Sequence, residues 1–400
     1  MALNLVVIGG SCSAMLAALD LAQGGAEVRL ISPFPLEQAV QSHTLLQVDG
    51  AQDPLIALLD RLGVPLDRSR EGQVALHTLD GVKVVSAGTQ LEVLLHRALE
   101  RQVRFGHLAA RITLDENQLL LAPLRSAREC RGVLTLDTFS GAIHAHHADA
   151  VLVADHGAEG LLGLHTSGPG QGHISLGALV PELALQGGRA VRWHPLSVQG
   201  SDRPRVLAES SLVLGARVEN GALVIPREAR EALAPLLDRE KRMSGVKPPF
   251  SIRRSVHGVA FGLQVDAAQQ TVMPRLYAAG GSTASPEGPW GAPLRHALLG
   301  ARTAATSMLR LGSASAANPA EALALWQGRV TQWSTQHGAF NARTLAEELG
   351  TLVFERCTTG RDIAAAVVVL KARLPSVASG GRPSVLHALH SSVALAQALA

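Results

Sequence analysis

Residues 5–14, Leu-Val-Val-Ile-Gly-Gly-Ser-Cys-Ser-Ala, constrain the fold more than any other part of this chain. Residues 5–8 are a short apolar run, Gly9-Gly10-Ser11 interrupts it, and residues 13–23 carry helical periodicity up to Gly24-Gly25. Residues 28–31 then read as a second strand. A strand, a glycine turn and an amphipathic helix returning to a strand form a βαβ unit. This start predicts an α/β fold with a doubly wound parallel sheet. The turn also fits the fingerprint of a dinucleotide site: Gly9 makes the tight turn, Gly10 follows, and Ala14 packs helix on strand. Ser11 stands where a second glycine would let a pyrophosphate reach the helix N-terminus, and its side chain narrows that path. Ser32 ends the second strand where a ribose-binding acid is expected. The same turn also occurs in α/β proteins without a ligand.

Composition sets the outer bounds. Four hundred residues allow two or three domains at about 150 residues each. Thirty-six Lys and Arg against 33 Asp and Glu, with no run of like charge, lack the electrostatic footprint of a nucleic-acid binder. An apolar share of 47% excludes disorder, and a charged share of 17% leaves a surface suited to cover by a partner or a second domain. Cys12, Cys130 and Cys357 are scattered, which excludes a disulfide scaffold or a cysteine cluster and fits a reducing compartment. The longest apolar run, residues 363–370, is far short of the roughly 18 residues of a membrane span. Residues 1–4 enter the first strand without the basic region of a signal peptide, so a soluble cytoplasmic protein is expected.

Further along, residues 54–62 and 90–100 read as helices, residues 111–153 as short β segments, and residues 151–154 as a buried strand ending at Gly157. A Leu/Ala-rich helix is expected to end at Gly187-Gly188. Strands return over 191–224 and 251–265, with a charged helix over 227–242 between them. A helix over 293–309 follows, and the remainder after 312–318 reads as mostly helical. His144-Ala145-His146-His147 has donors at metal-like spacing but no matched second half, so it reads as strand, and no metal site is assigned.

Several segments gain meaning from their order. They are Ser32, Ser42-His43-Thr44, residues 151–158, Trp193-His194-Pro195-Leu196, Ala208-Glu209, residues 256–266 around His257, residues 276–280, and Gly291-Ala292-Pro293-Leu294. In this order they resemble the flavoprotein subunits of succinate dehydrogenase and fumarate reductase, with L-aspartate oxidase as a relative.

The resemblance implies FAD as cofactor, held by Gly9, Gly10, Ser11, Ala14, Ser32, Ser42, Thr44, Gly157, Gly280, Gly281, Pro293 and Leu294. The family's covalent attachment maps onto His43, whose neutral imidazole nitrogen can add to the electrophilic flavin 8-methyl position. His257, His194 and Glu209 inherit substrate binding. The proton-shuttling arginine maps onto Arg230 or Arg227, with Arg230 fitting slightly better and a glutamate neighbour expected to tune it. The family's second substrate-binding arginine is absent from its motif, and Arg295 could reach in from the following helix.

The expected organisation is an FAD-binding domain in two parts, 1–165 and 257–312, interrupted by a shortened capping domain, 166–256, and followed by a helical domain, 313–400. The resemblance implies hydride transfer between a small organic acid and flavin. It also implies an iron–sulfur or other electron-transfer subunit as partner, which would place the protein at the periphery of the inner membrane. Asp155 and His156 replace a Thr and a Gly, and Gly281 replaces a Glu. These departures keep open a non-catalytic paralogue acting in interaction or assembly.

Overall fold

The computed structural model describes residues 2–38, 43–88, 90–161, 172–187, 191–198, 205–206, 210–220, 222–231, 233–234, 237–238, 250–284, 290–353 and 360–400. The chain opens with β1 (Asn4–Ile8), α1 (Cys12–Gln23) and β2 (Glu27–Ile31). Next come β3 (Leu45–Gln47), α2 (Pro54–Leu62), β4 (His77–Leu79), β5 (Val82–Ser86) and α3 (Leu91–Phe105). β6 (Ile112–Asp115) precedes an antiparallel meander of β7 (Gln118–Ser126), β8 (Glu129–Asp137) and β9 (Ile143–His147), and β10 (Ala150–Val153) follows. After α4 (Gly172–Leu179) and β11 (Leu185–Gln186) come β12 (Val191–Val198), β13 (Arg205–Val206), α5 (Ser210–Val213), β14 (Arg217–Glu219), β15 (Ala222–Val224) and β16 (Phe250–Val259). β17 (Gly262–Leu263), β18 (Leu276–Ala278) and α6 (Ala292–Met308) lead to four further helices. These are α7 (Ala320–Ser334), α8 (Ala342–Thr351), α9 (Gly360–Arg373) and α10 (Pro383–Ala398).

The organising element is a parallel sheet of order β18-β10-β1-β2-β6. Its strands β1, β10 and β18 read as nearly continuous apolar runs because both faces are covered there, while β2 and β6 toward the edge carry Arg29, Thr113 and Asp115. Leu5, Val7, Leu30, Leu152 and Tyr277 point to one face and pack with α1, α3 and α6. Val6, Ile8, Val151, Val153 and Leu276 point to the other, where the meander, α4 and the C-terminal helices close the core. The α/β reading of the first 31 residues therefore holds for the whole sheet. A separate antiparallel sheet, β13-β12-β16-β15-β14, lies in the middle of the chain.

One local expectation needs correction, and one sheet goes beyond the sequence reading. The Leu/Ala-rich helix stops at Leu179, eight residues before Gly187, because the chain turns at 180–183 and then pairs Leu185 with Leu263. The three-stranded sheet β3-β5-β4 had no counterpart in the sequence reading, since segments of three to five residues carry too little periodicity. The charged 227–242 stretch enters through a 3-10 turn, Arg227–Ala229, and is helical at 230–231, 233–234 and 237–238. The Nε2 of His146 lies 3.0 Å from the hydroxyl of Thr135. Among the described residues, no helix is long and apolar enough to cross a membrane.

Candidate functional site

Four chain segments meet at the carboxyl edge of the parallel sheet. The first is the β1–α1 turn. Gly9 has φ +131°, and a Cβ there would stand 2.6 Å from the carbonyl oxygen of Ala154, so only glycine fits. Ser11 is the N-cap of α1: its Oγ accepts from the Ala14 N–H at 3.2 Å and donates to the Ala154 carbonyl at 2.6 Å. Ser13 Oγ lies 2.7 Å from Ser11 Oγ. The residue in the second glycine position thus ties the turn to the end of β10. Ala14 is fully buried against the sheet.

Behind this turn stands His96, which the sequence reading missed. It is buried on α3, and its Nε2 donates to the Gly10 carbonyl at 3.1 Å. Burial lowers its pKa below the ordinary histidine value. The imidazole is therefore neutral, with Nδ1 as a bare acceptor that has no partner among the described residues. The available sequence signal was a histidine beside Leu95 on the apolar side of a helix, which usually marks a core residue.

The second and third segments follow β10 and β18. Asp155 is buried; its carboxylate accepts from the His156 N–H at 2.9 Å and from Ser175 Oγ at 2.8 Å. Ser282 Oγ accepts from the Asp155 N–H at 3.0 Å. Gly280 has φ +63°, and a Cβ there would lie 2.7 Å from Ser13 Oγ. At Gly281 a Cβ would meet the Gly157 nitrogen at 2.4 Å, so this backbone crossing has no room for the glutamate of the resembling family. Ser32 is buried; its backbone N–H donates to the Asp115 carbonyl and its own carbonyl accepts from the Gln118 N–H.

The fourth segment joins His43 and Thr44 to the start of α6. The His43 N–H donates to Glu92 Oε2 at 2.8 Å, while the Glu92 N–H donates to the His43 carbonyl at 3.1 Å. Thr44 Oγ1 accepts from the Ser210 N–H at 3.0 Å. Gly291 caps α6 with φ +79°, and the Gln47 N–H reaches its carbonyl at 3.4 Å. Pro293 and Leu294 form the first turn of that helix. Arg295 is not available to a substrate. Its guanidinium is bound to Asp53 at 2.5 Å and to Asp49 at 2.6 Å, which overturns the reading of it as a carboxylate-binding substitute.

On the antiparallel sheet, His194 in β12 stands opposite Ser255 in β16. His257 lies between the partners of Trp193 and Arg192, at a register shift. The two histidines thus occupy adjacent strands, and β16 packs on the 158–161 turn beyond β10. Arg230 is exposed, and no carboxylate pairs with it among the described residues, so the tuning glutamate contact is not formed. Ser42 and Glu209 lie outside the described residues.

The residues present fit a dinucleotide cofactor. The crevice between β1 and β10 is where the strand order reverses, the usual binding place in open α/β sheets. The α1 N-terminus and the cramped glycines 9 and 280 converge there. Ser11 is the departure, because its hydroxyl already occupies the Ala14 N–H.

A comparison with protein-family profiles finds no match. The chain is 25% identical over 260 residues to the succinate dehydrogenase flavoprotein subunit of Bacillus subtilis (strain 168), covering 54% of this chain and 44% of that protein. It therefore spans less than half the length of that curated relative. The fold matches a mutant of E. coli quinol fumarate reductase with a TM-score of 0.83 at 16% identity, over 100% of this chain and 88% of that one. A quinol–fumarate reductase with menaquinol molecules gives 0.81 at 16% identity, over 100% and 90%. Adenylylsulfate reductase from Archaeoglobus fulgidus gives 0.70 at 11% identity, over 100% and 88%. Motif order, fold and curated match agree: the chain is similar to the flavoprotein subunits of succinate dehydrogenase and fumarate reductase and has their fold.

Proposed function

We propose that the chain is an FAD-dependent oxidoreductase that moves hydride between a small organic acid and flavin. The observation that carries this reading is the meeting of the Gly9–Ala14 turn, Gly157, Gly280–Gly281, His43–Thr44 and the first turn of α6 at one sheet edge. These residues, with Ser32 and Ser42, would hold FAD, and His43 would anchor it covalently. When bound, the cofactor supplies a hydride acceptor and donor at its N5.

The protein's own groups do the rest. The α1 N-terminus offers N–H groups and a positive dipole end to the pyrophosphate, and the α6 N-terminus does the same for negative charge on the ring system. His194 and His257, on adjacent strands, orient the substrate together with Glu209. Arg230 carries the proton, which requires a carboxylate to approach it in the working state. Residues 1–165 and 257–312 form the cofactor domain in this reading, 166–256 the cap and 313–400 the helical domain.

Electrons leave through an external acceptor, such as an iron–sulfur subunit. Cys12 and Cys130 are buried with their thiols pushed up, Cys130 to about 12, which makes them poor redox relays. A soluble chain held at a membrane through that partner fits the proposal.

The visible spectrum of the purified protein, before and after acid precipitation, tests it. Yellow colour that stays in the pellet and is lost in His43→Ala supports FAD attached at His43. A colourless protein with no affinity for added FAD overturns the oxidoreductase reading and leaves an assembly role. Succinate turnover with a dye acceptor then tests the substrate class.

A further inference from the structure

A second cavity lies away from the sheet edge, between α4, α7 and α10. It has a volume of about 440 Å³ and shares no residue with the candidate cofactor site. This is within the size range of small-molecule pockets. Trp326 and Trp333, two turns apart on α7, meet edge to face with ring centroids 6.1 Å apart. His390 stacks on Trp333 at 5.1 Å, and His387 lies 5.8 Å from Trp326 and 6.0 Å from Trp333. His387 is buried and fixed, its Nε2 donating to the Leu120 carbonyl at 2.8 Å.

Charge narrows the class of ligand. The Arg329 guanidinium sits 4.8 Å from the Trp326 ring centroid, and no carboxylate pairs with it among the described residues. No Asp or Glu lines the cavity. Burial and the charge of Arg329 hold both His387 and His390 below the ordinary histidine pKa, so neither adds a second positive charge near neutral pH. The cavity therefore offers one uncompensated cation beside a wall of aromatic rings. A cationic ligand would be repelled, and a neutral one would leave the guanidinium unused.

We propose that this cavity binds a planar aromatic monoanion, with Arg329 taking the carboxylate and the ring packing by face and edge against the cluster of Trp326, Trp333 and His390. Guanidinium–carboxylate contact gives the anion its advantage, and ring stacking separates an aromatic acid from an aliphatic one.

Calorimetric titration of the full chain with 2-naphthoate tests the site, with 2-naphthamide and cyclohexanecarboxylate as comparators. One naphthoate per chain is expected, with both comparators about tenfold weaker or more. Arg329→Gln should weaken naphthoate by about tenfold and leave naphthamide unchanged. Arg329 is exposed, so the variant leaves the core intact, which circular dichroism verifies. Ser11→Ala, on the cofactor side, should leave naphthoate binding unchanged. The proposal is overturned if naphthoate does not bind, if naphthamide binds equally well, or if Arg329→Gln binds naphthoate as tightly as the parent.

Discussion

The imidazole of His96 holds the carbonyl of Gly10 at 3.1 Å across 86 residues of sequence. This one hydrogen bond fixes the back of the turn on which cofactor binding depends. Replacing His96 with Leu keeps the volume but leaves a buried carbonyl without a donor, at a cost of about 1–3 kcal/mol. Urea unfolding should show that loss, and flavin content should fall with it. His96→Gln, which can donate from a similar position, should recover most of both.

Ser11→Gly separates capping from cofactor access. Glycine is a tolerable N-cap, but the buried bond from Ser11 to the Ala154 carbonyl is lost as well, so stability should drop by about 1 kcal/mol. The Ala14 N–H would be released, and the second position of the turn opened. FAD affinity, read by flavin fluorescence quenching, should therefore rise. An unchanged or weaker affinity would show that the serine does not obstruct the pyrophosphate path.

Arg295→Ala should act on stability and not on substrate affinity. Asp53 has no exposed side-chain surface and is ion-paired with Arg295. Its backbone and arginine hydrogen bonds outweigh burial and hold its carboxyl below the usual range. Removing the arginine leaves that carboxylate unpaired, at a cost of about 3 kcal/mol. A large rise in KM for an acid substrate with unchanged thermal stability would contradict this assignment.

Stability should also decline as the medium is acidified from about pH 6.5. Burial pushes His387 and His146 down to about 4. Unfolding releases both to ordinary values, so the unfolded chain binds more protons in this interval. The stability of the neutral forms is present above the unfolded pKa and is lost as pH falls through about 4. Melting temperature should fall steadily over this window, and His387→Gln, which can still donate to Leu120, should flatten the dependence.

Much of the fold was legible because its signals are local. The apolar run at 5–8, the glycines after it and the periodic helix define a βαβ unit without reference to anything distant. The helices over 54–62 and 292–308 were equally readable, since Pro at the start and apolar spacing act within a few residues. Motif order also pointed to His43 and the α6 N-terminus, which the structure joins through Gln47 and Gly291. The histidine of α3 and the Arg295 ion pairs were not legible. Nothing near His96 in sequence shows that it faces Gly10, and nothing near Arg295 shows two aspartates some 240 residues earlier.

By itself, then, the sequence determined the parallel α/β architecture and the chain positions from which a flavin site could be built. Short-range sterics and apolar periodicity are encoded residue by residue. Only the tertiary structure decided which of those positions are free to act. Ser11 is spent on a cap and Arg295 on Asp49 and Asp53. Gly281 is glycine because Gly157 stands against it. A buried hydrogen bond or ion pair depends on which distant atom arrives, and that is fixed only when the sheet and its helices close.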